Sequence, residues 1–146
     1  MKTLVLVPTY NERDNLPILV ADILGVPGTE VLVLDDQSPD GTGAVADGLA
    51  VQHPGRVRVL HRTGQRGLGV SYLEGFGLAI ASDADLVCQM DADLSHDPKY
   101  LPAMIKEENL WAGGWLPKFG ENMYHDAEED FWWIPTAEVS LTNMHR

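Results

Sequence analysis

Val87-Cys88-Gln89-Met90-Asp91-Ala92-Asp93-Leu94-Ser95-His96-Asp97-Pro98 decides how the rest of the chain is read. A short apolar run ends in two carboxylates at i and i+2. Turn residues, a proline and a helical pattern follow. In a parallel α/β sheet, ligands collect outside the carboxyl ends of the strands. Two acids placed there suit a hard divalent cation, which takes oxygen ligands and often bridges substrate phosphates. The competing reading is an acid pair that caps the next helix or solvates a turn. The stretch is not an EF-hand: His96 stands where that loop needs Gly, and Pro102 where it needs a bidentate Glu. His96 reads as a surface-loop histidine, with a ligand or phosphate contact as the alternative.

Upstream, three more apolar runs precede helical patterns. Leu4 to Val7, closed by Pro8, predicts a buried strand, and a helix capped by Asp14 or Asn15 runs to Leu24. Val31 to Leu34 predicts a second strand ending at Asp35-Asp36. A helix opened by Asp40 or Thr42 then reaches Gln52. Val57 to Leu60 is the third strand, followed by a glycine loop and a helix from Val70 to Ala81. Leu86 to Met90 is the fourth, and Pro98 suits the first turn of a helix to Lys106. Short apolar strands alternating with amphipathic helices predict a parallel sheet with helices on both faces. Strand polarity then gathers Tyr10, Glu12, Asp36, Asp91 and Asp93 along one edge.

Each of these groups has an ordinary reading as well. Asp35-Asp36 can accept from a ribose, or simply place charge at a helix N-terminus. Tyr10 and Glu12 can hold a base or sugar, or be loop surface. The Gly64/Gly67/Gly69 loop, flanked by Arg62 and Arg66, can approach a diphosphate, but it matches neither a Walker loop nor G-x-G-x-x-G. No Ser/His/Asp or Cys/His nucleophile arrangement is signalled.

The chain has 146 residues, enough for one domain with a real core. A net charge of −12 argues against nucleic acid or an anionic membrane as a partner for the bulk surface. Cys88 is the only cysteine, so neither an intrachain disulfide nor a cysteine metal cluster forms. No apolar run approaches membrane-span length, and the start does not read as a signal peptide, which fits a cytoplasmic protein. All four tryptophans fall after residue 110, where no further β-α unit is visible. Ile134 to Leu141 can form a strand, and the rest of that tail reads as loop.

The ordered motifs Val7-Pro8-Thr9-Tyr10-Asn11-Glu12-Arg13-Asp14-Asn15-Leu16-Pro17, Asp35-Asp36-Gln37-Ser38-Pro39-Asp40-Gly41-Thr42, Leu60-His61-Arg62, Gly67-Leu68-Gly69 with Tyr72, and Gln89 to Pro98 carry a resemblance. Residues 1–105 resemble the family 2 glycosyltransferases similar to polyprenol monophosphomannose (dolichol-phosphate mannose) synthase. That resemblance implies a GT-A fold, a Rossmann-like parallel sheet, truncated here. It lacks the family's later strands, acceptor-site segment and downstream basic residues. It also implies a GDP-mannose donor and a polyprenyl phosphate acceptor at a membrane surface, with inversion at the anomeric carbon. By the same resemblance, Pro8, Tyr10, Glu12, Leu34 and Asp36 lie against the nucleotide. Asp91 and Asp93 hold Mg2+ or Mn2+ on the diphosphate, with Ala92 beside it.

The tail, residues 106–146, departs from that family. Gly114-Trp115-Leu116-Pro117-Lys118-Phe119, then Ile134-Pro135-Thr136-Ala137-Glu138-Val139 and Leu141-Thr142-Asn143, resemble an internal piece of seryl-tRNA synthetase. That resemblance gives Thr136 and Glu138 to a serine ligand and implies a chimera. Its ATP-binding arginine motifs and tRNA-binding arm are absent from this chain. A sheet cut short leaves an apolar edge that favours self-association. Two readings compete with the enzyme: a non-catalytic nucleotide-binding or interaction module, and a synthetase-derived fragment.

Overall fold

The computed structural model describes residues 1–111 together with Tyr124–Asp126 and Phe131–Trp133. Strands β1 (Thr3–Thr9), β2 (Thr29–Asp35), β3 (Val57–His61) and β4 (Leu86–Gln89) form one parallel sheet in the order β3-β2-β1-β4. Helices α1 (Leu16–Leu24) and α2 (Thr42–Gln52) carry the chain outward from β1 to β3. Helix α3 (Leu68–Ile80) then returns it to the far side of β1. The strand order therefore reverses at β1, and the crevice between the carboxyl ends of β1 and β4 is a topological switch point.

Strand alternation sorts the core into two layers. Val5, Val7, Val31, Val33 and Val57 meet Leu16, Leu19, Val20 and Ile23 of α1 and Ala46 and Leu49 of α2. Leu4, Leu6, Leu32, Leu34 and Val87 face the other way and meet Ala79, Tyr72 and Phe76 of α3. Burial on both faces is why β1 and β2 read as unbroken apolar runs rather than alternating ones.

Helix starts differ from the sequence expectation in instructive ways. Asn15 makes no capping bond at α1; its side-chain amide donates to Glu12 Oε2 at 3.0 Å instead. Asp40 Oδ1 accepts from the Thr42 backbone N–H at 2.9 Å and from its hydroxyl at 2.5 Å, so this pair organises the start of α2. The Thr42 hydroxyl bond holds the Asp40 carboxyl below the usual range. Helix α3 begins at Leu68, two residues earlier than expected, because Gly67 adopts φ 141° and accepts the first helical bond from Ser71 at 3.0 Å.

Gly75 allows α3 to lie on the sheet. A Cβ there would come within 2.7 Å of Leu34 Cδ1 and 3.3 Å of Leu6 Cδ1, both on fully buried side chains. Alanine gains about 0.5–1 kcal/mol of helix propensity over glycine. Overpacking costs about 1–3 kcal/mol, so the clash wins. Gly75→Ala is expected to destabilise by about 1 kcal/mol. Gly77→Ala, with nothing within 4 Å of its added carbon, should stabilise by a similar amount. Urea melts giving both changes the same sign would refute this account of α3.

After β4, a 3-10 turn at Pro98–Tyr100 leads into helix α4 (Leu101–Trp111), which runs through residue 105 and past the expected end at Lys106. Strands β5 (Tyr124–Asp126) and β6 (Phe131–Trp133) pair antiparallel where the sequence reads as loop. Their aromatic content is the strand-favouring feature there. The expected strand at Ile134 to Leu141 lies outside the described residues. Among the described residues, no helix is long and apolar enough to cross a membrane.

Candidate active site

The loops after β1, β2 and β4 each contain one non-glycine residue with positive φ: Asn11 at 57°, Gln37 at 62° and Leu94 at 66°. Such conformations cost free energy and gather at ligand sites. A cleft of about 120 Å³ opens on this edge, lined by Pro8, Thr9, Tyr10, Asp36, Leu68 and Ser71. Tyr10 is 45% exposed, so much of its ring is open to a partner. Leu68 and Ser71 are one helical turn apart in the first turn of α3, the spacing that puts two side chains on one face. Neither was singled out from sequence, although that spacing directly after a glycine loop was the available signal.

Asp36 is buried and its carboxylate is held on both oxygens. Oδ1 pairs with Arg62 Nη1, and Oδ2 accepts from the Gly67 backbone N–H at 2.8 Å. Arg62 also donates from Nη2 to Gln65 O at 2.7 Å and to Glu74 Oε1 at 3.1 Å. Its guanidinium is buried, with Nε lacking a hydrogen-bond partner. Arg62, which flanks the glycine loop expected to approach a diphosphate, is therefore turned inward: it fastens Asp36 and that loop. Asp35 is likewise internal rather than a ribose acceptor. Its Oδ1 takes the Thr9 hydroxyl at 2.9 Å and the Ser38 hydroxyl at 2.7 Å. Arg66 differs from Arg62, for it is exposed and stacks on the Tyr10 ring at 4.1 Å from the centroid.

The acid pair continues the strand alternation past β4. Met90 and Ala92 are buried in the core, whereas Asp91 is half exposed and Asp93 exposed. The i, i+2 spacing thus turns both carboxylates away from the core, with Ala92 anchoring between them. Asp91 Oδ1 accepts a long bond from the Tyr72 hydroxyl at 3.4 Å. Burial, then the Asp91 charge, push the Tyr72 phenol far above its ordinary range, so it stays a donor. Asp93 Oδ1 accepts from Ser95, from its N–H at 3.0 Å and its hydroxyl at 2.5 Å. The hydroxyl bond is the main reason the Asp93 carboxyl titrates below the usual carboxylate range. His96 is more than loop surface: its Nδ1 accepts from the Asp91 N–H at 3.0 Å and so braces the acid loop.

Of the other expected nucleotide residues, Pro8, Tyr10 and Asp36 share the cleft, whereas Glu12 does not line it. Glu12 accepts from Asn15 and donates its N–H to Thr42 Oγ1 at 3.0 Å, facing the starts of α1 and α2. The Leu34 side chain is wholly buried under α3 and cannot present itself to a ligand. Thr136 and Glu138 lie outside the described residues.

Among the described residues, no group of three or more His, Cys, Asp and Glu side chains could hold a metal ion. A pair of carboxylates still fits Mg2+ or Mn2+, because such ions bind through one or two carboxylates and complete their shell with phosphate oxygens and water.

Comparison with known proteins bears on the family and the fold. Polyprenol monophosphomannose synthase of Mycolicibacterium smegmatis is 49% identical over 105 residues, covering 71% of this chain. The chain spans 40% of the length of that relative. A mannosyltransferase of Pyrobaculum calidifontis, solved in complex with GDP-Man and Mn2+, superposes with a TM-score of 0.61 at 26% identity. That match covers 72% of this chain and 31% of the other. A separate segment of 47 residues, 32% of the chain, is 68% identical to serine–tRNA ligase of Dehalococcoides mccartyi and covers 11% of it. Two unrelated matches on separate segments are the pattern of a chimera. The GT-A sheet, the acid pair at the end of β4 and the match of residues 4–131 to the model of glycosyl transferase family 2 converge, and the chain belongs to that family.

Proposed function

We propose that this edge of the sheet binds GDP-mannose together with Mg2+ or Mn2+, and that the mannosyl group passes to a polyprenyl phosphate at a membrane surface. The observation that carries the reading is the placement of an open aromatic cleft and two outward carboxylates on either side of the switch point. Names of relatives support it: one makes polyprenol monophosphomannose, and another was solved with GDP-Man and Mn2+. On this reading residues 1–105 form the glycosyltransferase unit and 106–146 the synthetase-like tail.

The residues divide the work. Tyr10 offers its ring to the base, with Pro8 beside it. Asp36, fixed by Arg62 and Gly67, presents a positioned acceptor that needs no reorganisation on binding. Leu34 and Ala92 contribute only backbone, since their side chains belong to the core. Glu12 braces the loop after β1 from outside the cleft. Asp91 and Asp93 hold the cation, and Tyr72 and His96 orient Asp91. When bound, the cation neutralises charge developing on the departing diphosphate. A phosphate oxygen of the acceptor forms the new bond to the anomeric carbon from the opposite face. The bond to the diphosphate breaks, GDP leaves with the electron pair, and configuration inverts. The acceptor is already an anion, so positioning matters more than a strong base.

Two measurements test this together. Calorimetry with GDP should give binding that needs Mn2+ or Mg2+. A radiolabelled mannose transfer assay with polyprenyl phosphate should give product. Binding without transfer would assign a non-catalytic nucleotide module, and metal-independent binding would reject the site as drawn.

A further inference from the structure

We propose that Arg66 is a diphosphate-binding residue, parked on the Tyr10 ring until a nucleotide diphosphate enters the cleft. This rests on the nucleotide reading above and adds a residue to it. Four observations carry the idea.

The first is charge. The edge is strongly acidic, with Glu12, Asp35, Asp36, Asp91 and Asp93 on its loops. GDP, whose terminal phosphate is largely doubly ionised at neutral pH, brings more negative charge than one divalent ion cancels. The second is availability. Arg13 pairs with Asp14, Arg62 with Asp36 and Glu74, and Lys99 with Asp97. Among the described residues on this edge, Arg66 is the basic side chain with no carboxylate partner; its contact is the Tyr10 ring. The third is anchoring. Both neighbours of Arg66 are pinned through the backbone, Gln65 O by Arg62 at 2.7 Å and Gly67 N–H by Asp36 at 2.8 Å. The side chain therefore turns from a fixed base, at the lip of a cleft lined by Tyr10, Asp36, Leu68 and Ser71.

The fourth is competition. A cation–π contact at an exposed site is weaker than a charge-assisted bond to phosphate. Exchange of the ring for a phosphate is downhill. It also exposes a ring face that a base can stack upon. The guanidinium fork suits two phosphate oxygens at once.

The test compares guanosine, GMP and GDP by calorimetry with Mn2+, on the full chain and on Arg66→Gln and Arg66→Lys. Arg66 is exposed and holds no core contact, so neither change endangers folding. We expect Arg66→Gln to weaken GDP binding by about tenfold. Guanosine should stay within about twofold, and Arg66→Lys should recover part of the GDP loss. The salt dependence of GDP binding should also flatten in Arg66→Gln. Equal weakening of guanosine and GDP would mean that Arg66 serves the ring stack alone and would overturn the proposal. Unchanged GDP binding would overturn it too, while leaving the nucleotide site standing. Failure of the unaltered chain to bind GDP with Mn2+ would remove both.

Discussion

Arg62→Ala is expected to unfold at a much lower denaturant concentration than the unaltered chain, with a loss of about 3–5 kcal/mol. The cause is the Asp36 carboxylate left behind. It is buried, and without Arg62 the Gly67 N–H is the one hydrogen-bond donor left to it among the described residues. Glu74 and the Gln65 carbonyl lose their donor in the same step. Breaking a buried pair strands a charge, whereas an exposed pair such as Arg13–Asp14 contributes about 0–1 kcal/mol. Arg13→Ala is therefore the control and should scarcely move the midpoint. The double change Arg62→Met with Asp36→Leu should recover much of the lost stability, because neither charge is then buried alone. Urea titrations placing Arg62→Ala within 1 kcal/mol of the unaltered chain, by the standard of an exposed pair, would contradict this role. Asp36→Ala carries the same structural penalty, so lost nucleotide binding in that variant must be read beside its melting curve.

Asp91→Ala and Asp93→Ala should each abolish the metal dependence of GDP binding while leaving the fold near its original stability. Asp93 is exposed and Asp91 partly exposed, and neither sits in a buried ion pair. Removing one of two protein ligands to a hard cation costs on the order of 10–100-fold in affinity, so the metal-assisted part of GDP binding disappears at millimolar Mn2+. Acidification should mimic the change. The Ser95 bonds depress the Asp93 carboxyl below its ordinary value of 3.8, so the carboxylate persists through neutral and mildly acidic solution. The sign for stability follows: the contribution of those bonds is present above the ordinary value and is lost as pH falls through the lowered one. Calorimetry at pH 7 and at a pH well below 3.8 measures the binding effect. Full Mn2+-dependent GDP binding by either variant would reject the acid pair as the cation site.

The difference between these two predictions follows how the chain could be read. Asp91 and Asp93 were legible because strand alternation is a local property: a buried Met90 and Ala92 force their neighbours outward within a few residues. The β-α alternation was legible for the same reason, since Leu4–Val7 and Val31–Leu34 are apolar on both faces and the helical stripes between them are not. The fate of the charged groups was not. Arg62 and Asp36 are 26 residues apart, and nothing near either one marks it as buried. Arg66, four residues on, has the same chemistry and a wholly different role.

By itself the sequence determined the order of strands and helices as far as residue 106 and the outward spacing of the acid pair, and its ordered motifs carried the resemblance to the family. The order and the spacing follow from periodicity and local turn chemistry, which act over a few residues. Only the tertiary structure decided that Leu34 is core beneath Gly75, that Arg62 is locked on Asp36 and that Arg66 lies on Tyr10. Each is a contact between distant segments whose free energy depends on burial and distance, and neither quantity exists until the sheet has closed.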